Sequence, residues 1–331
     1  MTDRLERYRG KTILVTGGTG FIGSAVVAAL DAAEARILVV RGRDSGSSEH
    51  VDGQARVEVL EGDVRSTSFW DAAVSEADCI FHFAAQTSSR HANRHPAEDL
   101  KANLGPVARF VDACQRLERR PDIVFAGTVT QVGFTTKYPL DETVRDSPIT
   151  VYDINKLAAE QYLRYYAREV GGRSVTLRLP NVYGPGPVSR HGDRGILNLM
   201  IRKALAGESL IVYGSGEYMR DFVHVSDIAN AFVTAGASWG TVSGHHYVLG
   251  SGDGHTVLEM VHLVRDLVAA ATGTRVEIQH IELPAELPRI DYRSFVADSR
   301  RFQADTGWSP RLTLSDGIAQ TIQHSIDEAR T

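Results

Sequence analysis

Residues 12–23 read Thr-Ile-Leu-Val-Thr-Gly-Gly-Thr-Gly-Phe-Ile-Gly. The opening TILVT is a short apolar run rich in β-branched residues, the pattern of a strand buried on both faces. Gly17, Gly20 and Gly23 follow at a GxxGxxG spacing, and the residues after them, 20–30, carry small and apolar side chains at helical intervals. A glycine after a strand lets the chain turn tightly and approach a pyrophosphate. The helix behind it offers unbonded N–H groups and a partial positive charge, and a third glycine lets that helix pack closely on the sheet. A strand, a glycine turn and a helix in this order predict a dinucleotide site at the start of the chain.

Working outward, the same alternation continues. Residues 36–40, 57–60, 79–83, 123–126 and 175–179 are strand-like, and 97–117 and 152–170 carry long helical patterns. Strands alternating with helices predict βαβ units and a doubly wound parallel sheet, an α/β fold of the Rossmann type. Beyond residue 180 the pattern changes at Gly184-Pro185-Gly186-Pro187, a loop signal. Helical stretches at 195–206, 225–235 and 256–271 then alternate with short strand-like pieces at 209–213 and 246–249. The expected division is a dinucleotide-binding domain over 1–180 and a smaller, irregular, mainly substrate-binding domain over 181–331, with a segment at about 221–240 returning to the first.

Composition narrows the class. The 331 residues are 43% hydrophobic and 23% charged, with a formal net charge of -5. A chain of this length can bury a large core, and its balance argues against a nucleic-acid partner, which would call for a basic face. The cluster Arg116, Arg119 and Arg120 reads as a solvated helix end. The two cysteines, Cys79 and Cys114, lack a CxxC spacing, so no metal or redox motif is supported. His91 and His95 stand four apart without the glutamate of an HExxH motif, and no metal site is expected. No apolar run approaches the ~20 residues of a membrane helix. Residues 1–11 are polar and charged, unlike a signal peptide, and a cytoplasmic location is expected.

Two further groups carry chemistry. Tyr152-Asp-Ile-Asn-Lys156 places a tyrosine and a lysine four apart, on one face of the 152–170 helix. A tyrosine ordinarily ionises at about pH 10. A nearby ammonium and a positively charged nicotinamide both favour the phenolate, so the pair can work as an acid/base near neutrality. Upstream, Phe125-Ala-Gly-Thr-Val-Thr leaves a strand for a loop, where strand ends of doubly wound sheets carry sites, and Thr128 is the expected hydroxyl partner. At the end of the second strand, Arg41 and Arg43 would suit the 2′-phosphate of NADP, whereas Asp44, 21 residues past Gly23, could reach the 2′-hydroxyl of NAD. Asp63 and Val64 follow the next strand, at the adenine end.

With these residues in hand, the chain resembles the extended short-chain dehydrogenases, specifically the NAD-dependent epimerase/dehydratase family. TGGTGFIG, HFAA at 82–85, VYDINK, LRLPNVYGPG and RDFVHVSD stand in the family's order, and the stretch 298–310 matches its end. The resemblance implies Thr128 as the catalytic hydroxyl, Tyr152 as the base and Lys156 as the lysine that holds the nicotinamide ribose. It implies Phe21, Ile22, Phe83, Ala84 and Ala85 along the cofactor and Pro180 and Val182 near the nicotinamide. Thr87, Ser88, Asn181, Asn198, Tyr213 and Arg220 then fall at substrate positions, and Arg289 or Arg293 supplies a late arginine to the substrate diphosphate.

Two departures qualify the activity. The family's 4,6-dehydratases carry Thr-Asp-Glu where this chain has Thr128-Val129-Thr130, which speaks against dehydration, and its sugar-acid decarboxylases carry a glutamate in that loop. Arg41 stands where NAD-using epimerases usually have Asp. The expectation is therefore a nucleotide-sugar epimerase acting at C4 with NAD. The substrate would be a nucleotide-diphosphate sugar, oxidised transiently to the 4-keto sugar and reduced from the opposite face. The alternative is a 4-keto-sugar reductase using NADPH, which Arg41 and Arg43 would favour. A non-catalytic nucleotide sensor is a third reading, opposed by the intact Thr-Tyr-Lys set. The family's habit of pairing through the helices at 97–117 and 152–170 implies a homodimer.

Overall fold

The computed structural model describes residues 2–42, 55–187, 195–282 and 293–330. Arg43, Asp44, Arg289 and the loop 188–194 lie outside the described residues. After a short helix α1 (Thr2–Leu5), the first half of the chain alternates as the sequence predicts. Its elements are β1 (Thr12–Thr16), α2 (Phe21–Leu30), β2 (Arg36–Arg41), β3 (Arg56–Glu61), α3 (Thr67–Glu76), β4 (Cys79–His82), α4 (Ser89–Arg94), α5 (Pro96–Asn103), α6 (Gly105–Arg116), β5 (Asp122–Thr128), α7 (Val151–Tyr165) and β6 (Ser174–Leu179). The second half holds β7 (Asn181–Tyr183), α8 (Ile196–Leu205), β8 (Leu210–Tyr213), β9 (Met219–His224), α9 (Val225–Ala237), α10 (Trp239–Val242), β10 (His245–Val248), β11 (Gly254–Thr256), α11 (Val257–Thr272), β12 (Ile278–Ile281), α12 (Arg300–Thr306) and α13 (Leu314–Glu328).

Among the described residues, seven strands form one parallel sheet in the order β10-β6-β5-β4-β1-β2-β3. Strand order reverses at β1, which pairs with β2 on one side and β4 on the other. The crevice above the carboxyl ends at such a reversal is where doubly wound sheets bind their ligands. Successive side chains of β1 point to opposite faces. Ile13 and Val15 join a core with Val26 and Leu30 of α2 and Phe232 of α9. Leu14 joins the opposite core with Trp70 of α3, Phe110 of α6 and Leu163 of α7. Both faces of the sheet are covered by buried apolar side chains. β10 and α9 thus belong to the first layer although they follow residue 180, because β10 extends the sheet beside β6 and α9 packs on α2. A third core, including Leu197, Val212, Met260 and Ile318, unites α8, β8, α11 and α13.

Two helices differ from their expected form. The pattern over 97–117 is split into α5 and α6, with Leu104 between them. Pro106 in the first turn of α6 has no N–H to continue the ladder. The pattern over 152–170 is α7 followed by a π-type turn at Tyr166–Val170 that ends on Gly171 at φ +79°. That positive φ is the left-handed conformation glycine adopts without a Cβ penalty.

Candidate active site

The glycine turn forms a cradle that only glycine fits. Gly17 has φ +67°, and a Cβ there would lie 2.8 Å from the backbone nitrogen of Ala84. A Cβ on Gly23 would lie 2.2 Å from the Gly17 carbonyl oxygen. The turn is therefore pressed between β1, the 83–85 segment and α2. Gly20 heads α2 with no side-chain cap, leaving the first-turn N–H groups, those of Phe21 and Ile22 included, to a ligand. Phe83 and Ala84 are tied to this turn through Thr16, whose carbonyl accepts from Phe83 N–H at 3.0 Å and whose hydroxyl accepts from Ala84 N–H at 3.3 Å. These residues fit a dinucleotide pyrophosphate.

At the adenosine end, Arg41 closes β2 and pairs with Glu61 of β3 at 3.0 Å, its partner in the sheet register. The guanidinium that would favour a 2′-phosphate therefore already has a carboxylate beside it. Asp63 accepts from the Arg65 backbone N–H and guanidinium at 2.9 Å. The Val64 carbonyl accepts from the Trp70 indole at 2.7 Å, which fixes the loop below the expected adenine.

Thr128 ends β5 and Tyr152 opens α7. The helix starts where it does because the Thr150 hydroxyl accepts from Asp153 N–H at 3.2 Å, an N-cap. Tyr152 is partly buried, and one turn on Lys156 is buried almost completely, its Nζ 4.2 Å above the Phe125 ring. Burial drives the Lys156 ammonium down to about 7, and the nearby Asp99 carboxylate opposes that effect. His82 lies between Thr16 and Phe125: its Nδ1 is 2.6 Å from the Thr16 hydroxyl and its ring stacks on Phe125. Burial and the Lys156 charge push it down to about 3, so it is neutral.

Sequence reasoning missed the polar cluster around this lysine. Asp99 of α5 is fully buried and accepts from Gln86 at 2.7 Å, Asn103 at 2.8 Å and Asn155 at 2.7 Å. Asp99 and Asn103 lie four apart on α5, and Asn155 sits inside the Tyr–Lys motif; that spacing was the available signal. Sequence reasoning also passed over Asp153. Its carboxylate accepts from the hydroxyls of Thr130 and, at 2.7 Å, Thr150. Burial raises this carboxyl, while the two hydroxyls and the charge of Arg293 pull it back.

On the substrate side, Pro180 and β7 continue from the carboxyl end of β6, and Asn181 and Val182 are partly exposed. β7 pairs with β9, Asn181 opposite Phe222, so the nearly buried Arg220 lies two residues before that contact. Arg220 stacks over Tyr218 at 4.9 Å and donates to the Met219 carbonyl. Arg293 is 6% exposed; one nitrogen donates to the Gly133 carbonyl at 2.8 Å, while Nη2 is buried with no hydrogen-bond partner among the described residues. Burial lowers its guanidinium to about 10, opposed by Asp153. An arginine held with one nitrogen unspent fits an anionic oxygen. Asn198 is committed differently, since both its amide atoms bond the Gly184 backbone, at 2.9 and 3.1 Å, and pin the 184–187 loop. Ser88 caps α4, accepting from His91 N–H at 3.2 Å, Thr87 is exposed beside it, and Tyr213 is partly buried at the end of β8. A cavity of about 560 Å³ lined by Lys11, Arg173 and Trp239 opens at the opposite, amino edge of the sheet, away from this constellation.

A parallel sheet with a glycine cradle at its strand-order reversal and a Thr-Tyr-Lys set above its carboxyl edge defines a nicotinamide-dependent short-chain dehydrogenase fold. The profile of the NAD dependent epimerase/dehydratase family matches residues 13–250, and the chain belongs to that family; its cofactor is NAD. It is 28% identical to the UDP-glucose 4-epimerase of Mycolicibacterium smegmatis, over 94% of this chain and 97% of the relative. It is 29% identical to UDP-glucuronic acid decarboxylase 1 of Danio rerio, over 95% of this chain and 72% of the relative. The crystal structure of the Thermotoga maritima UDP-glucose 4-epimerase with UDP-glucose superimposes with a TM-score of 0.85 at 29% identity, covering 96% of this chain and 99% of that one.

Proposed function

We propose that this enzyme is a nucleotide-sugar 4-epimerase acting on a UDP-linked hexose. The observation that carries the reading is the placement of Thr128, Tyr152 and Lys156 at the carboxyl edge of the sheet beside the glycine cradle, with no glutamate in the 128–130 loop. The cradle and Lys156 would hold NAD, which when bound takes up a hydride from the sugar C4 and returns it. Tyr152, as phenolate, takes the proton of the 4-hydroxyl and gives it back after the 4-keto sugar has turned over. Lys156 stabilises that phenolate and holds the ribose, and Thr128 orients the hydroxyl. Arg293 and Arg220 would clamp the diphosphate, aided by Asn181, so that the sugar swings while its anchor stays. Pairing of Arg41 with Glu61 weakens one of the two supports for an NADPH-consuming reductase, the other being Arg43, outside the described residues. The only carboxylate bonded to the 128–130 hydroxyls among the described residues is Asp153, on α7, so neither decarboxylation nor dehydration has its expected acid/base group in the loop.

The test is incubation with UDP-galactose and catalytic NAD, followed by NMR of the anomeric proton. UDP-glucose should accumulate to equilibrium with no net change in cofactor. Stoichiometric NADPH oxidation by a 4-keto sugar, without interconversion, would replace this reading with the reductase.

No helix among the described residues is long and apolar enough to cross a membrane. Cys79 and Cys114 are free and buried, in keeping with our placement of the enzyme in the reducing cytoplasm. A homodimer is part of the proposal. Leu100 on α5 and Ile154, Tyr162 and Tyr165 on the neighbouring α7 are between 44% and 50% exposed, apolar groups left uncovered on adjacent helices. Sedimentation should give a dimer, and Ile154→Asp should give a monomer.

A further inference from the structure

The Thr128 hydroxyl is not free to point either way. Its oxygen lies 2.7 Å from the Thr130 hydroxyl and accepts the Thr130 backbone N–H at 3.2 Å. Beyond Thr130 stands the Asp153 carboxylate, which takes the Thr130 hydroxyl on one oxygen and the Thr150 hydroxyl on the other. A carboxylate only accepts, and a hydroxyl has one proton to give. While Asp153 is ionised, as its two hydroxyl donors and Arg293 favour, the Thr130 proton is committed to it, so Thr130 can only accept from Thr128, and the Thr128 proton is committed to Thr130. One Thr128 lone pair takes the Thr130 N–H, which leaves the other, and no proton, for the pocket.

We infer that Asp153 is a positioning residue that acts through Thr130 to hold Thr128 as a pure acceptor toward the sugar. The inference rests on the reading of Thr128 and Tyr152 as the pair that meets the reacting hydroxyl. Its consequence concerns the two oxidation states of the sugar. The alcohol has one proton, so it donates to the Tyr152 phenolate or to Thr128 but not to both at once, and neither of them gives it a second bond. Once its proton is on Tyr152 and its hydride has left, the ketone oxygen can only accept. Tyr152 then has an O–H to give and Thr128 has none. The ketone is held at C4 by one hydrogen bond where a donating Thr128 would make two, and this weaker hold suits a reaction in which the ketone must turn over before it is reduced. Arg293, from the C-terminal segment, is the charged group facing Asp153, and Tyr152 and Lys156 share its helix.

The test compares Thr130→Val, Thr128→Val and the double variant, with Asp153→Asn as a second break in the chain. Thr130→Val frees the Thr128 proton to bond the ketone. It should lower kcat about tenfold, the worth of roughly one hydrogen bond, with little change in KM. It should also raise the steady-state fraction of reduced cofactor, read at its near-ultraviolet absorbance. In the Thr128→Val background, Thr130→Val and Asp153→Asn should have no further effect on either quantity. Equal losses with and without Thr128, or an unchanged reduced fraction, would overturn the inference. A readout free of turnover is the carboxyl carbon-13 titration of Asp153 in the full-length protein. Loss of the Thr130 hydroxyl should raise its midpoint by about 0.5–1 unit, since a bond to the charged form is removed; no movement overturns the relay. A wild-type protein that leaves UDP-sugars unchanged while the titration behaves as expected would count against the epimerase reading and leave the relay standing.

Discussion

Replacing Lys156 by methionine should make the cofactor-free protein more stable and at the same time inactive. The side chain is 3% exposed, lies over Phe125, and has its ammonium lowered from an ordinary 10.5 to about 7, chiefly by burial. That gap is worth ~5 kcal/mol of proton affinity. The unfolded chain binds a proton on this lysine that the folded chain resists, so the penalty on folding is complete below pH ~7 and disappears as pH rises toward 10.5. At pH 7 it amounts to ~4 kcal/mol. Methionine keeps a linear apolar chain against Phe125, removes the charge and gives up a cation–π contact of ~1–2 kcal/mol. The expected net gain at pH 7 is therefore ~2–3 kcal/mol. A chain of 331 residues unfolds with an entropy of about 0.7 kcal/mol/K, so this gain corresponds to a rise in Tm of ~3–4 °C. Calorimetry of NAD-stripped protein at pH 7 and pH 10 reads it directly. The cofactor must be absent because its binding would itself stabilise the wild type. The variant's advantage should shrink at pH 10. A variant less stable than wild type at pH 7, or an advantage independent of pH, would refute the account of Lys156 as a buried, strained ammonium retained for function.

Three other outcomes follow from the structure. Gly23→Ala places a Cβ 2.2 Å from the Gly17 carbonyl, a backbone atom that cannot yield without moving the cradle; NAD affinity by calorimetry should fall at least about tenfold, with ~1–3 kcal/mol lost from stability. Arg178 is 1% exposed and is shared between Glu160 at 2.7 Å and Asp146 at 2.8 Å; Arg178→Met removes the nearest cation from the buried Glu160, which keeps Gln131 at 3.1 Å and Arg164 at 3.8 Å, and should cost ~2–4 kcal/mol in chemical denaturation. Arg41→Ala removes an exposed pair with Glu61, so stability should stay within ~0.5 kcal/mol and the preference for NAD over NADP should hold; a collapse of NAD binding would restore Arg41 as a cofactor ligand.

Much of the fold is legible because its causes are local. TILVT followed by three spaced glycines is a strand, a turn and a helix by short-range sterics alone, and β1, Gly17 and α2 lie where that reading puts them. Tyr152 and Lys156 share a face because four residues make about one helical turn. The split between α5 and α6 was visible in Pro106, but the apolar periodicity on both sides overrode it.

What the tertiary structure alone decided are the partners of those residues. Asp99 meets Asn155 across 56 positions, Thr130 meets Asp153 across 23, and Arg293 meets the Gly133 carbonyl across 160. No local propensity encodes such contacts. They exist because parallel strands joined by helical crossovers bring distant strand ends to one edge of the sheet, where burial favours polar groups that find a partner. The chemistry-bearing residue types could therefore be read along the chain, whereas the neutral state of His82, the lowered ammonium of Lys156 and the fixed direction of the Thr128 hydroxyl arise only from the low-dielectric crevice that the fold encloses.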